Sequence, residues 1–177
     1  DCKKTLEENN NDIEKSIEAL RKKGLAKASK KSDRAANEGA VGVFSNNDIT
    51  VLIKVNSETD FAAKSDTFLD FLDSLGNIAL STNNANLNLN DFLKVENNGK
   101  NISDLLTEMI SKIGENLIIN DLKVFDNKEA KVNYYIHNPY RKNIGKIVST
   151  VIYSSEKENE EVKNFSKNLC MHIAASK

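Results

Sequence analysis

The sequence predicts an α+β protein, with a short helical segment at the N-terminus followed by two small blocks that each combine antiparallel strands with helices. Two observations support this prediction. Apolar residues alternate with other residues in two runs, at 41–55 and 117–153, which is typical of strands. Elsewhere they recur every three or four residues, which is typical of amphipathic helices. The predicted boundaries are 1–34, 35–130 and 131–177.

The N-terminal segment contains parts of a helical bundle. Asn11 and Glu14 have the spacing of a helix N-cap followed by an acidic residue. The apolar residues after this cap recur on one helical face, at Ile13, Ile17 and Leu20. Gly24 is expected to end this helix, and Cys2–Glu8 to be the end of another. Residues 25–34 form a basic connector. About 24 residues are too few for a core of their own.

The first block begins with a predicted β-hairpin. Val41 and Val43 mark one strand, residues 49–55 the next, and Asn46–Asp48 the turn. One helix is predicted over Phe61–Leu80, followed by a polar loop. Its inward face is predicted to consist of Phe68, Leu69, Leu72, Leu75, Ile78 and Ala79. A turn of helix at Asp91–Val95 and a helix over 102–113 complete the block. Asn101 or Ser103 is its expected cap and Gly114 its end.

The rest of the chain predicts three strands and a helix. The strands are Leu117–Phe125, Lys131–His137 and Ile144–Tyr153, with a loop at Asn138–Asn143 before the last. The helix runs from about Glu158 to Ala174. Its inward residues are predicted to be Val162, Phe165, Leu169 and Ile173, with Cys170 as a small core residue.

Composition excludes several classes of function. The net charge is −1, so no global field attracts nucleic acid or an acidic membrane. The basic stretch Lys22–Arg34 is either a solvated helix face or a docking surface for an acidic partner. No apolar run approaches the roughly 20 residues needed to span a bilayer. Cys2 and Cys170 stand at opposite ends of the chain, which indicates neither a disulfide framework nor a metal site.

Enzymatic motifs are also absent from the sequence. His137 and His172 lie far apart and show no zinc-ligand spacing. A lone histidine at a strand end is more often a hydrogen-bonded surface residue than a catalyst. Neither a nucleophile elbow, nor a P-loop, nor a dinucleotide-binding glycine motif is present. We therefore expect no enzyme, no cofactor and no bound metal.

The segment Glu58–Lys64 joins a strand to a helix and permits two interpretations. Thr59 or Asp60 can act as an ordinary helix cap, with Phe61 packed in the core. Alternatively, a Phe directly after a charged cap can protrude as a wedge for a partner. The residues of this segment alone do not decide between the two.

Six stretches, in the same order along the chain, resemble the translation elongation factor Ts family. They are Asp1–Lys4, Asn11–Glu14 with Arg21–Gly24, Val55–Lys64, Lys112–Asn116, Tyr135–Asn138 and Met171–Lys177. The resemblance implies an exchange factor for elongation factor Tu. It also implies a ubiquitin-associated-like domain of three helices, of which this chain holds the last two, and then two α+β subdomains. Members continue beyond the last stretch, so we expect an incomplete second subdomain.

The resemblance also implies a site. The residues expected to enter the G domain of elongation factor Tu and dislodge its Mg²⁺ are Thr59, Asp60, Phe61 and Ala62, with Asp60 and Phe61 as the intruding pair. His137 is expected to add a contact near the phosphate side. Two features depart from the family. Ala62 stands where a branched apolar residue is common, and the loop Asn138–Asn143 is longer than in many members.

The favoured function is therefore nucleotide exchange on elongation factor Tu, in its GDP-bound and nucleotide-free forms, in the bacterial cytoplasm or the mitochondrial matrix. Direct nucleic-acid or membrane binding is not expected, and a homodimer is left open. The alternative is a non-catalytic helical adaptor that binds an unrelated partner through its N-terminal helices. A hydrolase using His137 ranks third because the sequence offers no nucleophile.

Overall fold

The computed structural model describes residues 2–156 and 159–176 of the chain. Its elements are α1 Cys2–Glu8, α2 Ile13–Ser29, β1 Glu38–Ser45, β2 Ile49–Ser57, α3 Asp60–Lys64, α4 Asp66–Ser81, α5 Leu89–Phe92, β3 Glu96–Asn97, β4 Lys100–Asn101, α6 Ile102–Ile113, β5 Leu117–Asp126, β6 Lys131–Arg141, β7 Ile144–Tyr153 and α7 Glu160–Ala175. Mixed helices and antiparallel strands confirm the α+β class.

One sheet runs through both strand-containing blocks, in the order β5-β2-β1-β7-β6 with antiparallel neighbours. The central link is short, because β1 and β7 pair only through Val41 with Gly145 and Gly42 with Ile144. Every other pair of neighbours within this five-stranded sheet is longer, whereas β3 and β4 form a separate two-stranded sheet. The division of the core at residues 130 and 131 stays a prediction.

The core lies between β1 and β2 and the helices that cover them. Val51, Ile53 and Val55 on β2 are fully buried, as are Phe68 and Leu72 on α4. The strand positions are two residues apart and the helix positions four apart, so each set lies on one face of its element. Each such side chain contributes about 1.5–3 kcal/mol by leaving water. This packing fixes the end of β2, from which the candidate site begins.

The helix predicted over Phe61–Leu80 is two helices, so that prediction was wrong. Ser65 has an extended backbone with ψ 144° and separates α3 from α4. Its hydroxyl donates to the Ala62 carbonyl at 2.8 Å and accepts from the Phe68 amide at 3.3 Å. Ser65 therefore closes one helix and caps the next, a side-chain alternative to continuing the helix. The inward face predicted for the second part is largely confirmed.

Gly24 does not end the second helix, which continues to Ser29. Gly24 instead lies where α2 contacts α6, and the Ser111 hydroxyl donates to its carbonyl at 3.3 Å. A glycine inside a helix costs about 1 kcal/mol relative to alanine. A Cβ at Gly24 would lie at an ordinary contact distance from the Ser111 hydroxyl, so the packing of α2 against α6 does not itself require a glycine. Asn101 caps α6 and Gly114 ends it with φ 88°, as predicted.

The apolar face predicted for α2 is only partly covered. Ile13 and Ile17 are 67% and 62% exposed, whereas Leu20 is half-buried. The end of α2 that contains Leu20 and Gly24 lies along α6, and a groove of about 470 Å³ remains between the two helices. Cations of the basic stretch form ion pairs within the chain, among them Lys22 with Glu18, Lys23 with Glu8 and Arg34 with Glu58.

The inward face predicted for α7 was wrong except at Val162, which is partly buried. Phe165 and Leu169 are 69% and 39% exposed, and Ile173 is 46% exposed. Ser166 and Cys170 are buried instead, the latter as predicted. The strands below present polar groups that pair with this face. Asn133 donates to the Ser166 hydroxyl at 2.9 Å, and Ser149 donates to the Cys170 carbonyl at 2.6 Å. The predicted helix start, Glu158, lies outside the described residues.

The long loop predicted at Asn138–Asn143 was also wrong, because β6 continues to Arg141 and pairs with β7 across an irregularity after Pro139. Asn138 has φ 48°, a left-handed conformation that asparagine tolerates. Arg141 extends from this end of β6 to helix α4. It donates to carboxylates of Asp66 at 3.2 Å, Asp70 at 2.7 Å and Asp73 at 3.1 Å.

Candidate functional site

The segment Thr59–Lys64 forms a protruding corner between the end of β2 and α4. Thr59 has an extended backbone, and its hydroxyl accepts from the Ala62 amide at 3.2 Å as the N-cap of α3. The cap interpretation is therefore correct for Thr59. Asp60 lies in the first helical turn, where a negative charge is favourable.

The side chains of this short helix divide sharply by exposure. Phe61 is 84% exposed, whereas Ala62 and Ala63 are only 8% and 1% exposed. Phe61 is thus not packed in the core. The two alanines fix the helix against β1 and β2, and Phe61 points away from them into solvent. A large apolar side chain in this position is the feature expected of a wedge.

Two carboxylates hold the base of this corner. The Thr59 amide donates to Glu115 Oε2 at 3.0 Å, and the Thr59 hydroxyl donates to Glu115 Oε1 at 2.7 Å. In return, the Asn116 amide donates to Glu58 Oε1 at 2.6 Å. We call these four residues, Glu58, Thr59, Glu115 and Asn116, the carboxylate clasp. The two dipeptides 58–59 and 115–116 are thus joined in both directions, because the carboxylate of each accepts a hydrogen bond from a backbone amide of the other.

Asp60 and Lys64 form an ion pair along α3, with 2.9 Å between Oδ2 and Nζ. The hydrogen bond from Lys64 holds the pKa of the Asp60 carboxyl below its usual range, and the same bond raises the pKa of Lys64. Lys64 Nζ also lies 5.9 Å from the ring centroid of Tyr140 on β6. Asp60 is therefore ionised at neutral pH, half-buried and paired.

His137 lies at the same end of the sheet as α3. Glu38 on β1 is opposite Ser57 at the end of β2. Lys146 on β7 forms an ion pair with Glu38. His137 on β6 is opposite Ile147, the next residue of β7. The sheet thus places His137 at the level of the corner, with β1 and β7 between the two.

Tyr135, two residues earlier on the same strand, is an aromatic neighbour of His137. The Tyr135 hydroxyl is 3.5 Å from His137 Nδ1, and the ring centroids are 6.1 Å apart. The imidazole is half-buried. One ring nitrogen therefore has a neighbouring hydroxyl. In the described part of the chain, no carboxylate forms a hydrogen bond with the ring.

Comparison with known proteins decides the family. A sequence model described as Elongation factor TS matches residues 58–177, which is more than half of the chain. The chain belongs to the elongation factor Ts family. The elongation factor Ts proteins of Allorhizobium ampelinum and Rhizobium etli are each 38% identical to it over 176 residues, and that of Agrobacterium fabrum is 36% identical. These alignments cover 99% of this chain and 57% of each relative.

The chain thus spans somewhat more than half the length of these elongation factor Ts relatives. The resemblance seen in the sequence is confirmed. In the described residues, 2–156 and 159–176, no group of three or more His, Cys, Asp or Glu side chains could hold a metal ion. Within the same ranges, no helix is long and apolar enough to cross a membrane.

The structure places the predicted site residues in two separate positions, and their roles stay a prediction. Thr59, Asp60 and Phe61 form one corner, and Phe61 is its exposed tip. Ala62 belongs to the same segment, but its side chain faces the protein. His137 is separate from the corner by two strands.

Sequence reasoning missed the partners that hold the corner. Glu58 and Glu115 occur in stretches that resemble elongation factor Ts, yet no role was assigned to them. Glu115 is 56 residues from Thr59, and Asn116 is 58 residues from Glu58. Helical and strand periodicities report only on local neighbours, so these pairs become visible only when β2 and β5 are aligned.

Proposed function

We propose that this chain promotes the release of GDP from elongation factor Tu by inserting Phe61 into the nucleotide-binding domain of that protein. The observation that supports the proposal is the 84% exposure of Phe61 on a helix whose next two residues, Ala62 and Ala63, are buried. Exposed aromatic side chains on firm supports are the usual anchors of protein interfaces. Membership of the elongation factor Ts family supports elongation factor Tu as the partner in this proposal.

The proposed mechanism is displacement without chemistry on the nucleotide. Mg²⁺ bridges the phosphate oxygens of bound GDP and offsets their charge. A wedge that moves the partner's metal-binding elements weakens this bridge. Nucleotide and exchange factor then weaken each other's binding by the same factor, since coupling free energies are reciprocal. No covalent bond of the nucleotide is broken, so the chain is not an enzyme in this proposal.

Asp60 and His137 have supporting roles in the proposal. Asp60 is ionised and adjacent to Phe61, so it enters the partner's site together with Phe61 and carries a negative charge toward the metal region. His137, at the same end of the sheet, adds a second contact. Ala62 supports Phe61 from inside the protein and does not itself intrude.

Release of a fluorescent GDP from elongation factor Tu tests the proposal directly. We expect the unmodified chain to accelerate release and Phe61→Ala to lose most of the acceleration at saturating concentrations. Phe165→Ala is a matched control, because Phe165 is also an exposed phenylalanine, at 69%, but lies on α7. Equal rates for the unmodified chain and Phe61→Ala would overturn the wedge. An equal loss of acceleration in Phe61→Ala and Phe165→Ala would overturn the assignment of the exchange activity to the corner.

The exposed isoleucines of α2 favour a second candidate, the adaptor. Ile13 and Ile17 are spaced four residues apart and more than 60% exposed, so they offer an apolar helix face to a partner. An adaptor would bind its partner equally well with Phe61→Ala and lose binding with Ile17→Ser. For an exchange factor that acts through the corner, Phe61→Ala should reduce the acceleration of GDP release more than Ile17→Ser does.

Cellular location and assembly remain proposals as well. The three relatives named above are bacterial proteins, which supports the bacterial cytoplasm over the mitochondrial matrix. A homodimer stays a prediction that light scattering on the purified chain can test.

A further inference from the structure

We infer that the carboxylate clasp is a positioning device that holds Phe61 outward before any partner is bound, with Glu115 as its central residue. This inference rests on the proposed function for its effect on GDP release. Its structural part, the fixing of the corner by Glu115, can be tested on the chain alone.

The need for such a device follows from the length of α3. The helix has five residues, Asp60–Lys64. Isolated helices shorter than about 12 residues are marginal in water, so tertiary contacts must set the orientation of α3. The two buried alanines supply one contact, but alanine side chains are small and bury little apolar surface. The entry of the chain into the helix, at Thr59, therefore requires another constraint.

The clasp lies at the point where that constraint is most effective. The last ladder pair between β2 and β5 is Ser57 with Leu117. The clasp residues come immediately after β2 and immediately before β5, where the chains would otherwise separate. There the carboxylates of Glu58 and Glu115 accept hydrogen bonds from backbone amides. These bonds continue the connection between the two chain segments beyond the last backbone pair of β2 and β5. Hydrogen bonds to charged acceptors are stronger than neutral ones.

Thr59 connects the clasp to the helix through a single hydroxyl. Its Oγ1 donates to Glu115 at 2.7 Å and accepts from the Ala62 amide at 3.2 Å. The carboxylate cannot donate, so Glu115 fixes the direction of the hydroxyl proton and leaves the oxygen lone pair for the helix cap. Loss of Glu115 thereby weakens the cap as well as the clasp, although Glu115 does not contact the helix amide itself.

The functional consequence is pre-organisation. A wedge that must be ordered during binding loses part of its interaction free energy to conformational entropy. A wedge held in place loses less. Phe61 is exposed and apolar, so a mobile corner would also allow the ring to fold back onto the protein surface. The clasp opposes both effects.

Amide hydrogen exchange across residues 59–64 of the chain alone is the first test. Glu115→Ala is expected to accelerate exchange of the Thr59 and Ala62 amides by roughly tenfold. Glu115→Gln has one carbonyl oxygen in place of two carboxylate oxygens, so an intermediate acceleration is expected. Glu129→Ala, an exposed residue after β5, is the matched control and is expected to change nothing. Unchanged protection in Glu115→Ala would overturn the inference.

GDP release supplies the second test, through a double-mutant cycle. Glu115→Ala is expected to reduce the acceleration by roughly tenfold in the unmodified background and to have no further effect beside Phe61→Ala. Equal losses in both backgrounds would mean a general structural defect and would overturn the positioning role. Thr59→Ser keeps the hydroxyl and is expected to retain the acceleration, whereas Thr59→Val is expected to lose it.

The two tests separate the two proposals. Loss of protection in Glu115→Ala, together with an unmodified chain that does not accelerate GDP release, supports the clasp and overturns the exchange function. Circular dichroism verifies that each variant is folded. If Glu115→Ala is unfolded, Glu115→Gln and the Thr59 pair give the same comparison, and identical behaviour of Thr59→Ser and Thr59→Val would overturn the inference.

Discussion

Phe61 and Ala62 are adjacent in the chain and opposite in exposure, at 84% and 8%. The boundary between solvent-facing and protein-facing surface therefore lies between two consecutive residues. The residue with the large apolar side chain does not contribute to the core, and the small residue does. This arrangement separates the stability of the corner from its proposed activity.

Substitutions at these two positions are therefore expected to differ strongly in their effect on stability. Phe61→Ala removes an exposed ring and should change the free energy of unfolding by no more than about 0.5 kcal/mol. Ala62→Phe forces a ring into a filled space and should destabilise the chain by about 1–3 kcal/mol. Urea denaturation followed by circular dichroism measures both. A large loss in Phe61→Ala would show that the ring packs against the protein in solution.

Gly76 on α4 offers a test of core packing in which two effects compete. A Cβ at this position would overlap the ring of Phe44, which is 4% exposed. Replacing a helical glycine by alanine normally gains about 1 kcal/mol. Overpacking costs about 1–3 kcal/mol, so we expect Gly76→Ala to destabilise the chain when measured by urea denaturation.

A second variant identifies the cause of that loss. In a Phe44→Leu background the ring is absent, and Gly76→Ala should then be less destabilising than in the unmodified chain. Equal free-energy changes in the two backgrounds would mean that the ring of Phe44 is not what opposes the added methyl group.

The sequence was sufficient for the α+β class and for most elements because each depends on local periodicity. It failed where a side chain replaces a backbone interaction or where a distant element decides burial. Ser65 ends α3 with its own hydroxyl, inside a pattern that is continuously helical. Phe165 and Leu169 have helical spacing, but the strands beneath α7 present Asn133 and Ser149 and select its polar face.

The candidate site also has features that the local sequence predicts and features that it does not. The Thr59 cap is local and could be predicted from residue type. The exposure of Phe61 could not, because the same residues suit a buried ring, and only the resemblance to elongation factor Ts favoured exposure. The role of Glu115 could not be predicted from the sequence, since its contact with Thr59 depends on the register of β2 against β5.

The environment of the Asp48 carboxylate leads to a prediction of how the free energy of unfolding depends on pH. It lies in the β1–β2 turn, where Lys128 donates to one carboxylate oxygen at 2.9 Å and Asn83 to the other at 3.1 Å. The hydrogen bond from Lys128, followed by that from Asn83, holds the pKa of Asp48 below its ordinary value of 3.8. The ionised form is thus favoured in the folded chain, and three separate turns meet at this carboxylate.

A lowered folded-state pKa gives stability that is fully present above the unfolded pKa and is lost as the pH falls through the folded value. Asp48→Asn should therefore lower the urea midpoint at neutral pH, and the difference from the unmodified chain should shrink in the acid range below 3.8. Asp33→Asn, on the exposed connector, is the control. A difference that is constant from neutral to acid pH would contradict the role of the charge.

The two cysteines should differ strongly in reactivity toward a thiol reagent at neutral pH. Cys2 is exposed, whereas Cys170 lies on the buried face of α7, and its sulfur is 3.5 Å from the Asn133 carbonyl oxygen. Burial raises the pKa of the Cys170 thiol, so the reactive thiolate is scarce as well as inaccessible. We expect the Cys2 thiol to react quickly in the native chain, and the Cys170 thiol to react slowly there and quickly only in denaturant.

Cys2→Ser is the matched variant for this measurement. It should abolish the fast phase and leave the slow one, whose rate then reports how often α7 separates from β6 and β7. Two fast thiols in the unmodified chain would mean that α7 is detached in solution. In that case the polar contacts of Ser166 and Cys170 with the sheet would not be sufficient to hold a helix whose apolar residues face water.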